Sequence, residues 1–333
     1  MSLFSRLTRP QPGSAAVLIY HRIADMAIDP WELAVSPANF EKQLRLLKKK
    51  HTVISVDELL PLIHKNKIPP RCICITFDDG YTDNYTVAKP LLEQHNLPAS
   101  FFIPTCYTGA DAPFWWDELG TIFLETPQLP QLFQMSIAGA NFQSDLRGDA
   151  YLTKELLQKH RTWIWTQPAP TQRCALYLKI WKQLQPLPFA EIQTTMAAIK
   201  YWAGQTWPFE KDSVPMHEAQ LVDLSRNPLF QLGMHTATHP ALAYHPKEIQ
   251  HQEIAENKKA LQKYQPVNAI AFPYGNFNND TLLTLQELGI LAGFTTQEHL
   301  ISASANLYCL GRYQVKNRDA HAFENDLKQW FQP

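Results

Sequence analysis

Residues 73–85 read ICITFDDGYTDNY. The run from Cys72 to Phe77 is apolar and rich in β-branched residues, the composition of a buried strand, and Gly80 beyond it supplies a turn. Between them stand two adjacent carboxylates, Asp78 and Asp79. Neighbouring carboxylates repel, and the pKa of one rises unless a cation or a hydrogen-bonded role for each removes the conflict. The stretch is therefore a strand end with a charge problem whose solution must come from elsewhere in the chain.

Similar apolar runs recur, each closed by polar or turn residues. They are AAVLIY before His21, SFFIPT at 100–105, LFQLGM before His235, NAIAF before Pro273, AGFTT at 292–296 and YCLGRYQV near the end. Helical patterns lie between them. Ser55 and Glu58 form a capping box that opens a helix, Pro37 and Pro246 suit first helical turns, and Gly289 closes the helix through TLLTLQEL. Strands alternating with helices predict a parallel α/β sheet or barrel of about seven strands. From about 111 to 215 the alternation lapses into Trp- and Pro-rich helical stretches, FWWDELGTIFLE, RTWIWTQPAP and LYLKIWKQL, with a hairpin around FQMSIAGANFQ. We read this as a helical insertion packed over one end of a single domain spanning 1–333.

Composition narrows the function classes. The 333 residues are 45% hydrophobic and 18% charged, a globular balance. Thirty basic against 31 acidic side chains give no electrostatic footprint for nucleic acid. Five cysteines without a C-x-x-C pair argue against a disulfide framework or zinc knuckle and for a reducing cytoplasm. The positively charged N-terminus leads into an apolar stretch too short for a signal-peptide core, and no segment has the length of a transmembrane helix. The expected location is cytoplasmic, with the inner-membrane surface a further option. Nine tryptophans and twelve tyrosines serve either core packing or stacking on sugars.

In parallel βα architectures ligands bind where strands end. His21, Asp78, Asp79, His235, Pro273 and Arg312 all fall at or just after expected strand ends. His235 and His239 are four apart in GMHTATHPAL, and two such imidazoles can converge on a metal if the backbone turns between them. Alone, the pair also fits solvated histidines on a helix. With one carboxylate they complete a three-ligand site with an open position. The other carboxylate stays free to take a proton from water.

TFDDGYTDNY, HTATHP and FPYG resemble the first three motifs of the NodB-type polysaccharide deacetylases, a carbohydrate esterase family 4-like group. The opening YHRI and closing LGRYQV resemble members of that superfamily encoded with surface-polysaccharide genes. The resemblance implies an irregular (β/α)7 barrel. It implies that Asp78 is the catalytic base, that Asp79, His235 and His239 bind zinc or another divalent ion such as cobalt or nickel, and that the Tyr274 N–H is an oxyanion donor. The implied reaction removes N-acetyl, O-acetyl or formyl groups from a carbohydrate in surface-polysaccharide or lipopolysaccharide synthesis. Two departures stand out. Many members carry an arginine before the third motif, where this chain has Ala271 and Phe272; Arg312 is the replacement expected to hold the base, with a structural salt bridge as the other reading of it. The usual Leu-x-His motif of the general acid is not evident, so His21 is the expected acid and His321 the next candidate. A non-catalytic glycan-binding protein on the same fold is the alternative function. Another barrel metal hydrolase, such as a phosphoesterase, would need more ligands than the chain offers.

Overall fold

The computed structural model describes residues 13–204 and 213–332. The basic start of the chain and residues 205–212 of the expected insertion lie outside the described residues. The strands, in chain order, are β1 (Ala15–Tyr20), β2 (Arg22–Ile23), β3 (Ala34–Val35), β4 (Thr52–Val53), β5 (Cys72–Phe77) and β6 (Ala99–Ile103), followed by β7 (Leu132–Ile137), β8 (Ala140–Asp145), β9 (Phe230–Met234), β10 (Ala269–Ala271), β11 (Ala292–Phe294) and β12 (Tyr313–Gln314). Seven of these run parallel in the order β11-β10-β9-β6-β5-β1-β12, with β4 joining the start of β5. The sheet curls until its ends meet: Phe294 bridges Leu310, and the Arg312 N–H donates to the Gln297 carbonyl at 3.0 Å. This is the irregular parallel barrel that the alternating pattern predicts.

Every residue of β1 and β5 is buried, which is why both read as unbroken apolar runs. Alternation then sorts them between two layers. Leu18, Ile73, Ile75 and Phe101 face the surrounding helices, whereas Val17, Cys74, Phe102, Ala271 and Phe294 form a second cluster with Val56, Leu59 and Ile63. The helices are α1 (Pro37–Lys50), α2 (Val56–His64), α3 (Lys89–His95), α4 (Trp115–Gly120), α5 (Lys154–Thr162), α6 (Gln172–Leu184), α7 (Phe189–Ala203), α8 (Glu218–Arg226), α9 (Lys247–Leu261), α10 (Asn279–Glu287) and α11 (Ala320–Trp330). The Ser55–Glu58 capping box is formed, Pro37 opens α1, and Gly289 follows α10 with φ +63°.

Between β6 and β9 the chain builds α4 to α7 and the β7–β8 hairpin around a separate core that includes Phe114, Phe123, Phe133, Tyr177 and Ile180. Arg173 is fully buried in it and donates to the carbonyls of Thr126 at 2.6 Å and Ala150 at 2.7 Å. Burial pushes its pKa down to about 10.

Some local expectations change. Helix α5 stops at Thr162, so most of RTWIWTQPAP is irregular chain with one turn at 165–166. Pro168 and Pro170 lack the N–H groups a continued helix would use. YCLGRYQV shrinks to Tyr313–Gln314, because Leu307–Cys309 makes a tight 3₁₀ turn at the irregular seam. The two-residue strands β2, β3 and β4 are too short to have left a periodic signal.

Candidate active site

The parallel strands deliver the polar residues to one mouth. Asp78 ends β5, and its N–H still donates to the Tyr20 carbonyl at 3.0 Å. Asp79 and Gly80 then both adopt φ +70°. Glycine takes that conformation freely, whereas aspartate does so at a cost of about 1 kcal/mol or more. The reversal turns the two carboxylates apart, which resolves their conflict.

Asp78 meets Arg312. Guanidinium Nη1 and Nη2 donate to Oδ1 and Oδ2 at 2.8 and 2.7 Å, a two-pronged contact between groups buried from solvent. The same guanidinium donates to the Thr295 carbonyl at 3.1 Å and Thr76 Oγ1 at 3.2 Å, and lies over the rings of Phe102 and Phe294. Burial alone would raise the Asp78 pKa, but Arg312 and then His235 outweigh it and hold the carboxyl below its usual range.

Asp79 meets the histidines. Its Oδ1 lies 3.3 Å from His235 Nε2 and 3.2 Å from His239 Nε2. It is buried yet has no aligned hydrogen-bond donor. One ligand atom from each of the three residues falls within 4.8 Å of the others. An orphaned carboxylate oxygen facing two imidazole nitrogens is what a divalent cation would satisfy, and the set leaves a position open. The loop is shaped for this: Thr236 and His239 have φ +63° and +61°, so the backbone turns between the histidines rather than continuing as a helix. His235 Nδ1–H donates to the Ala271 carbonyl at 2.8 Å, which turns Nε2 inward; burial would lower the pKa of this ring, but Asp78 and Asp79 outweigh it and raise it. The His235 N–H donates to Asn257 Oδ1 at 3.1 Å, and that amide also bonds the Ile103 carbonyl. Burial would raise the Asp79 pKa, but His239 and His235 drive it well below the ordinary carboxylate range. Burial lowers His239, favouring the neutral ring that ligation requires.

Tyr274 sits in the Pro273–Gly275 turn with φ +57°, its ring 4.6 Å from that of His239. Gly275 is required beside it, since a Cβ there would stand 2.1 Å from Thr296 Oγ1. His21 lies between β1 and β2, half-buried, near enough to Asp78 and Asp79 to contribute to the electrostatics of both. Its carbonyl accepts from Asn84 Nδ2 at 2.8 Å. His321 is not brought in: it is exposed at the start of α11, a helix packed against α1.

Several neighbours escaped the sequence reading. Trp116 of α4 places its ring 4.7 Å from His239 and donates to the Tyr81 hydroxyl at 2.8 Å. That hydroxyl in turn donates to Asp117 at 2.8 Å. Asp83 accepts from Arg22 Nε at 2.8 Å and the Ile23 N–H at 3.0 Å, fastening the loop after β5 to β2. Asp83 stood inside the opening motif, but Trp116 and Asp117 had no signal beyond a general richness in tryptophan.

The sequence profile of the polysaccharide deacetylase family matches residues 65–128 and 181–293. The chain belongs to that family. The match takes in Asp78, Asp79, His235, His239 and Tyr274, breaks across the region from 129 to 180, and leaves out His21 and Arg312. As a polysaccharide deacetylase the chain is a hydrolase acting on carbon–nitrogen bonds other than peptide bonds. A poly-beta-1,6-N-acetyl-D-glucosamine N-deacetylase of Staphylococcus aureus is 23% identical over 300 residues, covering 89% of this chain and 72% of that protein. The corresponding Staphylococcus epidermidis enzyme is 22% identical over 337 residues, covering 96% and 84%. Among solved structures, the Streptococcus pyogenes deacetylase PplD in complex with acetate shares the fold with a TM-score of 0.55 at 22% identity, covering 97% of this chain and all of that one. A Bacillus cereus polysaccharide deacetylase gives 0.56 at 17% identity, covering 94% and 69%.

Proposed function

We propose that this deacetylase hydrolyses the N-acetyl group of an amino sugar in a surface glycan, with a divalent cation held by Asp79, His235 and His239. The observation that carries the reading is the pairing of Asp79 Oδ1 with the two Nε2 atoms beside a separate carboxylate held by Arg312. Zinc suits imidazole and carboxylate donors, with cobalt or nickel as alternatives. When bound, the cation polarises the amide carbonyl and lowers the pKa of water.

The chain's own residues divide the remaining work. Asp78, kept ionised by Arg312, takes the proton from the attacking water. The Tyr274 N–H donates to the oxygen on which negative charge develops. His21 delivers a proton to the leaving nitrogen, because an amine anion is too poor a leaving group to depart unaided. The described part of the insertion expected at about 111–215 lies over the mouth, and the chain works as one catalytic domain. The thiol content supports a reducing, cytoplasmic setting, where the glycan is still a biosynthetic intermediate. Formyl and O-acetyl groups, and lipopolysaccharide precursors, are further substrates for comparison.

The test is elemental analysis alongside turnover of poly-β-1,6-N-acetylglucosamine oligomers, the glycan named for the staphylococcal relatives. The wild type should carry about one divalent ion per chain, and His239→Ala should carry little. Asp78→Asn should keep the metal and lose turnover; Asp79→Asn should lose the metal first and regain some activity with excess zinc. Equal metal content in wild type and His239→Ala, or identical behaviour of the two aspartate variants, removes this assignment.

A further inference from the structure

Beside the metal site lies a cavity of about 350 Å³, lined by the β2–β3 connection on one side and by α4 and Tyr177 on the other. Trp116 is a wall common to both: it lines the cavity, and its ring lies 4.7 Å from that of His239. Trp31, also in the lining, donates from Nε1 to the Tyr177 hydroxyl at 2.6 Å. It lies 4.2 Å from Trp181 and 5.3 Å from Trp165, and Trp181 lies 5.8 Å from Tyr274. An aromatic row thus runs from the metal ligands along the insertion to Trp165, which is 42% exposed. Such rings pack against the apolar faces of sugars and attract ammonium groups.

The charge of the lining decides what kind of sugar fits. Among the described residues it carries Asp25, Asp29, Asp117 and Glu125 against Arg22, whose Nε is engaged by Asp83. A diphosphate-linked sugar would meet carboxylates there, whereas a protonated amine would be welcomed. Asp117 is held in place by the Tyr81 hydroxyl, itself bonded to Trp116. Burial pushes the Asp117 pKa up to about 7, although Arg22 and the Tyr81 hydroxyl act against it.

We propose that this cavity is a subsite for a glycan residue carrying a free amino group, next to the residue being hydrolysed, so that partly deacetylated chains are preferred over fully acetylated ones. The proposal rests on the deacetylase reading above and adds a recognition element supplied by the β2–β3 connection and the insertion.

The experiment compares two N-acetylglucosamine oligomers of equal length, one fully acetylated and one with a single free amine, using the metal-loaded full chain. The wild type should favour the amine-bearing oligomer in kcat/KM by about tenfold, the scale of one charge-assisted hydrogen bond. Asp117→Asn and Asp25→Asn should each move that ratio severalfold towards one. Asp25 is exposed, so its variant tests the idea even if Asp117→Asn folds poorly. Trp31→Ala should weaken both oligomers alike. A wild-type ratio of one or less, or a ratio unmoved in both aspartate variants, overturns the proposal. Binding followed by tryptophan fluorescence reads the same preference without turnover. If neither oligomer is hydrolysed the catalytic reading fails, while the subsite still stands or falls on the binding ratio.

Discussion

Replacing Arg312 by methionine removes a guanidinium of no solvent exposure while preserving much of its volume. Asp78, 3% exposed, then loses both of its short charge-assisted contacts and is left as an unpaired buried carboxylate. Breaking one side of a buried ion pair costs about 3–5 kcal/mol. Unfolding entropy of about 2.1 cal/mol/K per residue over 333 residues gives about 0.7 kcal/mol/K. The expected fall in Tm is therefore about 4–7 °C. The Asp78→Asn/Arg312→Met double variant should recover part of the loss, with a coupling energy of about 2 kcal/mol or more. The pH dependence has a definite sign. A carboxylate whose folded pKa lies below its unfolded value adds stability above the ordinary carboxylate range and loses it as pH falls through the folded pKa. Because the Asp78 pKa is depressed in the folded protein, the gap between wild type and Arg312→Met should be full at pH 7 and close on acidification. Differential scanning calorimetry of both proteins from pH 2 to 8 spans that window and measures it. An Arg312→Met variant melting within about 1 °C of wild type at pH 7, or a double variant that shows simple additivity, would refute the pairing as the support of Asp78.

Two further outcomes can be checked with single variants. His21→Ala should lower kcat on an amide substrate by about a hundredfold, keep its metal and flatten the alkaline limb of the pH–rate profile, while an activated ester, which needs no acid, is spared; near wild-type amide turnover would place the acid elsewhere. Gly275→Ala introduces a Cβ 2.1 Å from Thr296 Oγ1 at a backbone φ of +64°, so it should cost about 1–3 kcal/mol and lower Tm, whereas Gly139→Ala, at φ +77° but with open space around it, should cost less; equal melting points for the two would show that the close approach to Thr296 carries no weight.

Local chemistry carried much of this protein in plain view. Six-residue apolar runs such as 72–77 declare buried strands because a strand covered on both faces has no polar side to interrupt it. The Ser55–Glu58 cap, the Asp78–Asp79 pair and the spacing of His235 and His239 are equally local, and they marked the strand ends at which a site could form. Sequence could not decide the division between the aspartates without the family resemblance. In space the left-handed turn at Asp79 and Gly80 aims one carboxylate at Arg312 and the other at the histidines, which supports the proposed division. Arg312 lies 234 positions from Asp78 and reaches it only because the curled sheet brings β12 beside β1, next to β5. His321 shows the converse: its residue type suited the chemistry, but α11 holds it exposed on a helix against α1. Trp116 and Asp117 were illegible for the same reason. A tryptophan in a helix reads as core wherever it lies, and only the docking of α4 over the mouth sets one ring against His239 and a carboxylate into the neighbouring cavity. Contacts between near neighbours are written in the order of residues, whereas contacts across the barrel depend on how the sheet closes and where the insertion lands.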